Sequence, residues 1–134
     1  MAIQFLDRFT TKFFCYLRHY RESFPDKTYF GNLTEAIRYA IDETGNFKED
    51  FYFVVKTTGV SSQEVRDMIN YANNALLISP RLDTNAYDIT VSKNAAKNLL
   101  KHLNENKEIS YLVDKVEEYF VKAPELKREF ESSK

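Results

Sequence analysis

Few side chains in this 134-residue sequence are of types that do covalent or metal chemistry, and their spacing argues against it. His19 and His102 lie far apart, and neither is followed at i+3 or i+4 by a second His or Cys. That spacing is what would set two metal ligands on one helical face. Cys15 is the single cysteine, which excludes an intrachain disulfide and a cysteine-based metal site. It falls within a Phe-rich stretch, where a thiol acts as a small buried hydrophobe rather than a nucleophile. Glu117 and Glu118 read as a solvated charge run on a helix surface, not as an acid–base pair. The three glycines are widely separated, so no Gly-rich loop can cradle a phosphate. The expectation is a chain that is not an enzyme and needs no metal or cofactor.

Another chemistry remains, that of recognition. Between residues 62 and 74 the order Ser62, Gln63, Arg66, Asp67, Asn70 and Asn73 or Asn74 puts polar groups at helical spacing. Gln, Asn and Arg carry the donor and acceptor pairs that match base edges in the major groove. Such a face must be held by a framework, and the composition says which kind. Apolar residues are 43% and charged residues 29%, the balance of one globular domain over 1–134. With only 3 Gly and 3 Pro, helices are favoured over a turn-rich β fold. Net charge is −1, so no global field draws the chain to nucleic acid or anionic lipid. The stretch Phe13–Leu17 is the longest apolar run near the N-terminus, too short for a signal peptide core or a membrane span. Together with the lack of disulfide chemistry, this predicts a cytoplasmic protein with no membrane partner.

Periodicity then places the elements. Leu6, Phe9, Phe13, Leu17, Tyr20 and Phe24 predict a helix over 3–24, with Phe5, Phe14 and Tyr16 widening its apolar stripe. Three capping boxes follow, each an N-cap residue with Glu three positions on: Asn32/Glu35, Asn46/Glu49 and Ser61/Glu64. They predict helices closed by Gly45, by Gly59 and near Leu76, the last with Val60 as a staple. Residues 51–55, Phe-Tyr-Phe-Val-Val, would suit a strand, but the flanking cap and stop favour a helix over 47–57. Leu77–Ser79 and Tyr87–Val91 read as strands around a turn at Pro80–Asn85. Ser92 caps a helix carrying Ala95, Ala96, Leu99, Leu100 and Leu103, and Ile109 to Phe120 predicts a last helix over 109–122 that Pro124 interrupts.

The order of elements from Glu49 to Leu103 resembles a winged helix-turn-helix domain. With its flanking helices it is similar to the MarR group of regulators. The resemblance rests on Thr58-Gly59-Val60-Ser61-Ser62 at the turn and on Val65, Met68 and Ile69 in the next helix. Leu77-Ile78 matches the strand entry, and Tyr87-Asp88-Ile89-Thr90-Val91-Ser92 the second wing strand and following cap. It implies a mostly α fold with a small β-hairpin (α+β), a winged-helix core over 32–103, and extra helices at 3–24 and 109–122. It further implies sequence-specific binding of double-stranded DNA by a transcriptional regulator or DNA-processing accessory factor, with helix 61–76 in the major groove. Gln63, Arg66 and Asn70 would read bases; Ser62, Lys56 and Lys93 would meet phosphate; Arg81 would reach backbone or minor groove. The loop departs from the family pattern, since Asp83 is followed two residues later by Asn85 instead of Arg.

The broad aromatic stripe predicts a homodimer through helices 3–24 and 109–122. Neutral overall charge keeps a second reading open, a winged-helix module that binds a protein partner and no DNA. A third is a ligand-sensing regulator with an aromatic pocket between the long helices.

Overall fold

A computed structural model describes residues 3–26, 31–82 and 85–132. Helix α1 (Ile3–Tyr20) is the hub, because its stripe is apolar on more than one side. Phe9, Phe13, Phe14 and Leu17 are all buried. Removing each from water contributes about 1.5–3 kcal/mol. The helix ends four residues before the predicted boundary at 24. Phe24 precedes a proline, which disfavours the α conformation, and Ser23–Pro25 instead forms strand β1. Phe24 stays in the core from there, its ring stacked between Phe14 and Tyr87 at 5.5 Å each.

Helix α2 (Leu33–Thr44) matches its sequence signals. The Asn32 side chain accepts from the Glu35 N–H at 2.9 Å, and Gly45 closes the helix in the left-handed conformation. The next expectation fails. No helix spans 47–57; β2 (Val54–Lys56) and β3 (Gly59–Ser61) form an antiparallel hairpin, with Val55 opposite Val60. The aromatic and β-branched run 51–55 prefers extended backbone. Gly59, at φ +130°, adopts the conformation after the turn that side-chain-bearing residues avoid.

Helix α3 is shorter than the predicted 61–76, running Gln63–Asn74, because Ser61 belongs to β3 and Ser62 becomes the cap. After it come β4 (Ile78–Pro80), β5 (Ala86–Ile89), helix α4 (Lys93–Leu103) and helix α5 (Lys107–Ser132). Ser92 caps α4 as expected, accepting from the Ala95 N–H at 3.1 Å. Helix α5 exceeds its predicted 109–122 at both ends and continues through Pro124. Asn106 caps it through the Ile109 N–H, and seven residues from Ile109 to Ala123 are buried along its length. That packing outweighs the one hydrogen bond a proline deletes.

The described residues thus form five helices, a hairpin and a three-stranded antiparallel sheet of order β1-β5-β4. Ser23 pairs with Asp88, and Ile78 with Ile89. Helix α1 packs against α3, α4 and α5, while α2 packs chiefly on α5. The α2–α5 seam carries Tyr119, which donates to Glu35 at 2.7 Å, and Tyr39, which donates to Glu118 at 2.8 Å. Glu117 and Glu118 are therefore partners inside ion pairs and not a solvated run. Glu117 meets Arg21 at 2.7 Å, and Glu118 meets both Lys115 and Lys122. The breadth of the α1 stripe is consumed by the chain's own core, which leaves Phe5 and Tyr20 as its exposed large aromatic residues. None of the described helices is long and apolar enough to cross a membrane.

Candidate nucleic-acid interface

Helix α3 is held from three directions. Val65, Met68, Ile69 and Ala72 are buried in the core, fixing which face points outward. At its start, Glu64 accepts from the Tyr52 N–H at 2.6 Å, tying the segment before β2 to the first turn of α3. At its end the chain reverses at Leu76, which has φ +61°, and the Leu77 N–H returns to the Ala72 carbonyl. This is a Schellman-type stop with leucine where glycine is usual.

The outward face is the one expected from sequence. Gln63, Arg66, Asp67, Asn70, Asn73 and Asn74 are all exposed. Three of them are linked: Arg66 donates to Gln63 Oε1 at 2.9 Å, and Gln63 Nε2 donates to Asp67 at 2.9 Å. The network orients the Arg66 guanidinium, with Gln63 linking it to the Asp67 carboxylate. Asn70, Asn73 and Asn74 continue the face with neutral donors and acceptors.

Ser62 does not belong to that surface. It is 3% exposed, and its hydroxyl accepts from the Val65 N–H at 3.4 Å while facing Glu64 at 3.4 Å. An N-cap oxygen is occupied by the helix it starts, so the expected phosphate contact is corrected to a structural role. The remaining three sites lie on other elements. Lys56 is exposed at the end of β2, opposite Gly59. Arg81 follows β4, where its Nε meets Asp88 at 2.7 Å and its N–H donates to the Ala86 carbonyl. Much of its charge is thus already answered. Asp83, which carried the departure from the family loop pattern, lies outside the described residues. Lys93 is the first residue of α4, on the rim of a cavity of about 320 Å³ between α1 and α4.

Among the described residues no three His, Cys, Asp or Glu side chains cluster to hold a metal. Burial pushes the Cys15 thiol up to about 11, so it stays protonated and apolar at neutral pH. His19 is exposed, its ring edge-on to Tyr20 at 5.3 Å. Sequence reasoning overlooked Lys97 and Lys101, which share a row with Lys93. Their four-residue spacing was the available signal. Comparison with family models, curated proteins and solved structures yields no match to this chain.

Proposed function

We propose that the chain is a winged-helix DNA-binding protein, a transcriptional regulator or DNA-processing accessory factor, that presents α3 to the major groove. The order α1, β1, α2, α3, β4, β5 with sheet order β1-β5-β4 supports this reading. It has the antiparallel pair β4–β5 directly after α3, the position a wing would take. In this version α2 stands as the helix before the reading helix, and the β2–β3 hairpin is inserted between them. The observation that carries the proposal is the face of α3. Gln63, Arg66 and Asn70 are exposed together, while the opposite side is locked into the core. Rigid presentation of such side chains is what base readout requires. Self-association through α1 and α5 belongs to the same proposal. It rests on Phe5, Tyr20, Tyr111 and Val121, exposed on those helices. Light scattering at micromolar concentration tests it, since a mass of one 15.8 kDa chain dismisses the dimer.

A second reading, a module for a protein partner, is favoured by one observation. Tyr52, Val55 and Leu76 are exposed by 74%, 63% and 79% on segments flanking α3. Apolar groups so placed suit a protein surface better than DNA. Fluorescence anisotropy with random-sequence duplex DNA across a salt series separates the two. DNA binding predicts affinity that falls steeply with salt and a further loss in Arg66→Ala of about 1–3 kcal/mol. No binding at low salt transfers the conclusion to the protein partner.

A further inference from the structure

The charge of this chain is unevenly distributed. Helices α1 and α4, packed on each other, carry Arg8, Lys12, Arg18, Lys93, Lys97 and Lys101 against one acidic residue, Asp7. The whole chain is nevertheless net −1. Helix α4 has no acidic residue at all. Lys93, Lys97 and Lys101 recur every four residues, all exposed, and none of them joins an ion pair among the described residues. Lysines on α5 differ, because Lys115 and Lys122 are both engaged by Glu118.

Packing sets the orientation of this basic pair of helices. Arg18 Nε donates to the Val91 carbonyl just before α4, and the Tyr16 hydroxyl accepts from the Asn106 N–H just after it. Helix α4 therefore crosses the C-terminal half of α1, with Cys15 buried against Ala96 and Leu100. On α1, Arg8, Lys12 and His19 fall on the same helical stripe as Cys15. His19, Lys93 and Lys97 line the cavity between the helices.

We propose that this α1–α4 ridge binds the phosphodiester backbone of duplex DNA without regard to sequence, supplying affinity that the near-neutral face of α3 lacks. The proposal rests on the DNA-binding reading above and names the surface that draws DNA to the chain. Four residues of helix rise about 6 Å, so three lysines span about 12 Å. One strand presents a phosphate for about every 3.4 Å of duplex axis, and each lysine has a phosphate within its reach. Exposed Asn94 and Asn98 between the lysines add neutral donors for phosphate and sugar oxygens. A lipid surface fits less well. A membrane-bound helix must insert an apolar face, and α4 has no exposed large hydrophobic residue, its Ala96 and Leu100 being buried.

The test is the salt dependence of duplex binding by the full chain, the triple variant Lys93→Gln/Lys97→Gln/Lys101→Gln, and the control Lys115→Gln/Lys122→Gln. Circular dichroism confirms that each variant folds. The expected result is a slope of log K against log salt reduced by about 2.7 in the triple variant, at about 0.9 per lost phosphate contact. The control should keep the wild-type slope. Wild-type binding with an unchanged slope in the triple variant overturns the ridge and leaves the α3 reading standing. Failure of the wild type to bind duplex DNA at low salt overturns both. Binding to vesicles of anionic phospholipid, with no DNA binding, also overturns the proposal.

Discussion

Replacing Ser62 with alanine should weaken the fold and leave DNA binding unchanged. Its hydroxyl is buried and directed at the first turn of α3, where it satisfies the Val65 N–H at 3.4 Å. Loss of an N-cap costs about 0.5–2 kcal/mol. The long contact argues for the middle of that range, about 1 kcal/mol, since alanine fills nearly the same volume and leaves no cavity. For a chain of this size that corresponds to a melting temperature lower by roughly 3–5 °C. Urea denaturation gives the free-energy difference, and anisotropy with duplex DNA gives the affinity. Ser92→Ala provides the comparison, because Ser92 caps α4 at 3.1 Å from an exposed position and should cost a similar amount. Unchanged stability in Ser62→Ala, with several-fold weaker DNA binding, would refute the cap assignment and return Ser62 to the phosphate contacts.

Three further outcomes follow from the packing. Tyr119→Phe should destabilise by about 1–3 kcal/mol in urea melts, because Glu35 loses a 2.7 Å donor in a part-buried seam. Leu76→Gly should stabilise by about 1 kcal/mol in the same assay, since Leu76 is 79% exposed and holds φ +61°, which glycine adopts without steric cost. Hydrogen bonds from Lys122, Lys115 and Tyr39 hold the Glu118 carboxyl down to about 2. A depressed folded value means stability present above the ordinary carboxylate range and lost as pH falls toward 2. Glu118→Gln should accordingly flatten the decline in melting temperature between about pH 4.5 and pH 2, and an unaltered acid limb would count against the pairing.

The ends of α2 and the starts of α2 and α4 were legible because caps are local. Asn32, Gly45 and Ser92 act within one turn of themselves, so sequence alone contains their chemistry. The Asn46/Glu49 box had the same form and failed. Phe47 sits at φ +66°, and the β-branched run beyond it found a partner in Val60 and Ser61. Two weak local signals competed there, and pairing across the Thr57–Thr58 turn decided between them. Phe24 shows the opposite case. Its helical spacing from Tyr20 was misleading, and the signal that mattered was Pro25 one position later. The outward face of α3 was readable because amphipathic spacing specifies it whatever lies beneath. The burial of Ser62 was not, since one residue's shift of the helix start exchanges a surface side chain for a cap. The lysine row of α4 was visible as spacing, but its packing across the C-terminal half of α1 depends on a long-range packing choice.

The most direct measurement is a titration of the ¹⁵N-labelled chain with duplex DNA, followed by amide and side-chain chemical shifts. The largest changes are expected at Gln63, Arg66, Asn70, Asn73 and Asn74, including the Gln and Asn side-chain amides. A second set is expected at Lys93, Lys97 and Lys101. Changes confined to Tyr52–Val55 and Leu76, or no change at low salt, would contradict the claim that α3 is the DNA-reading helix.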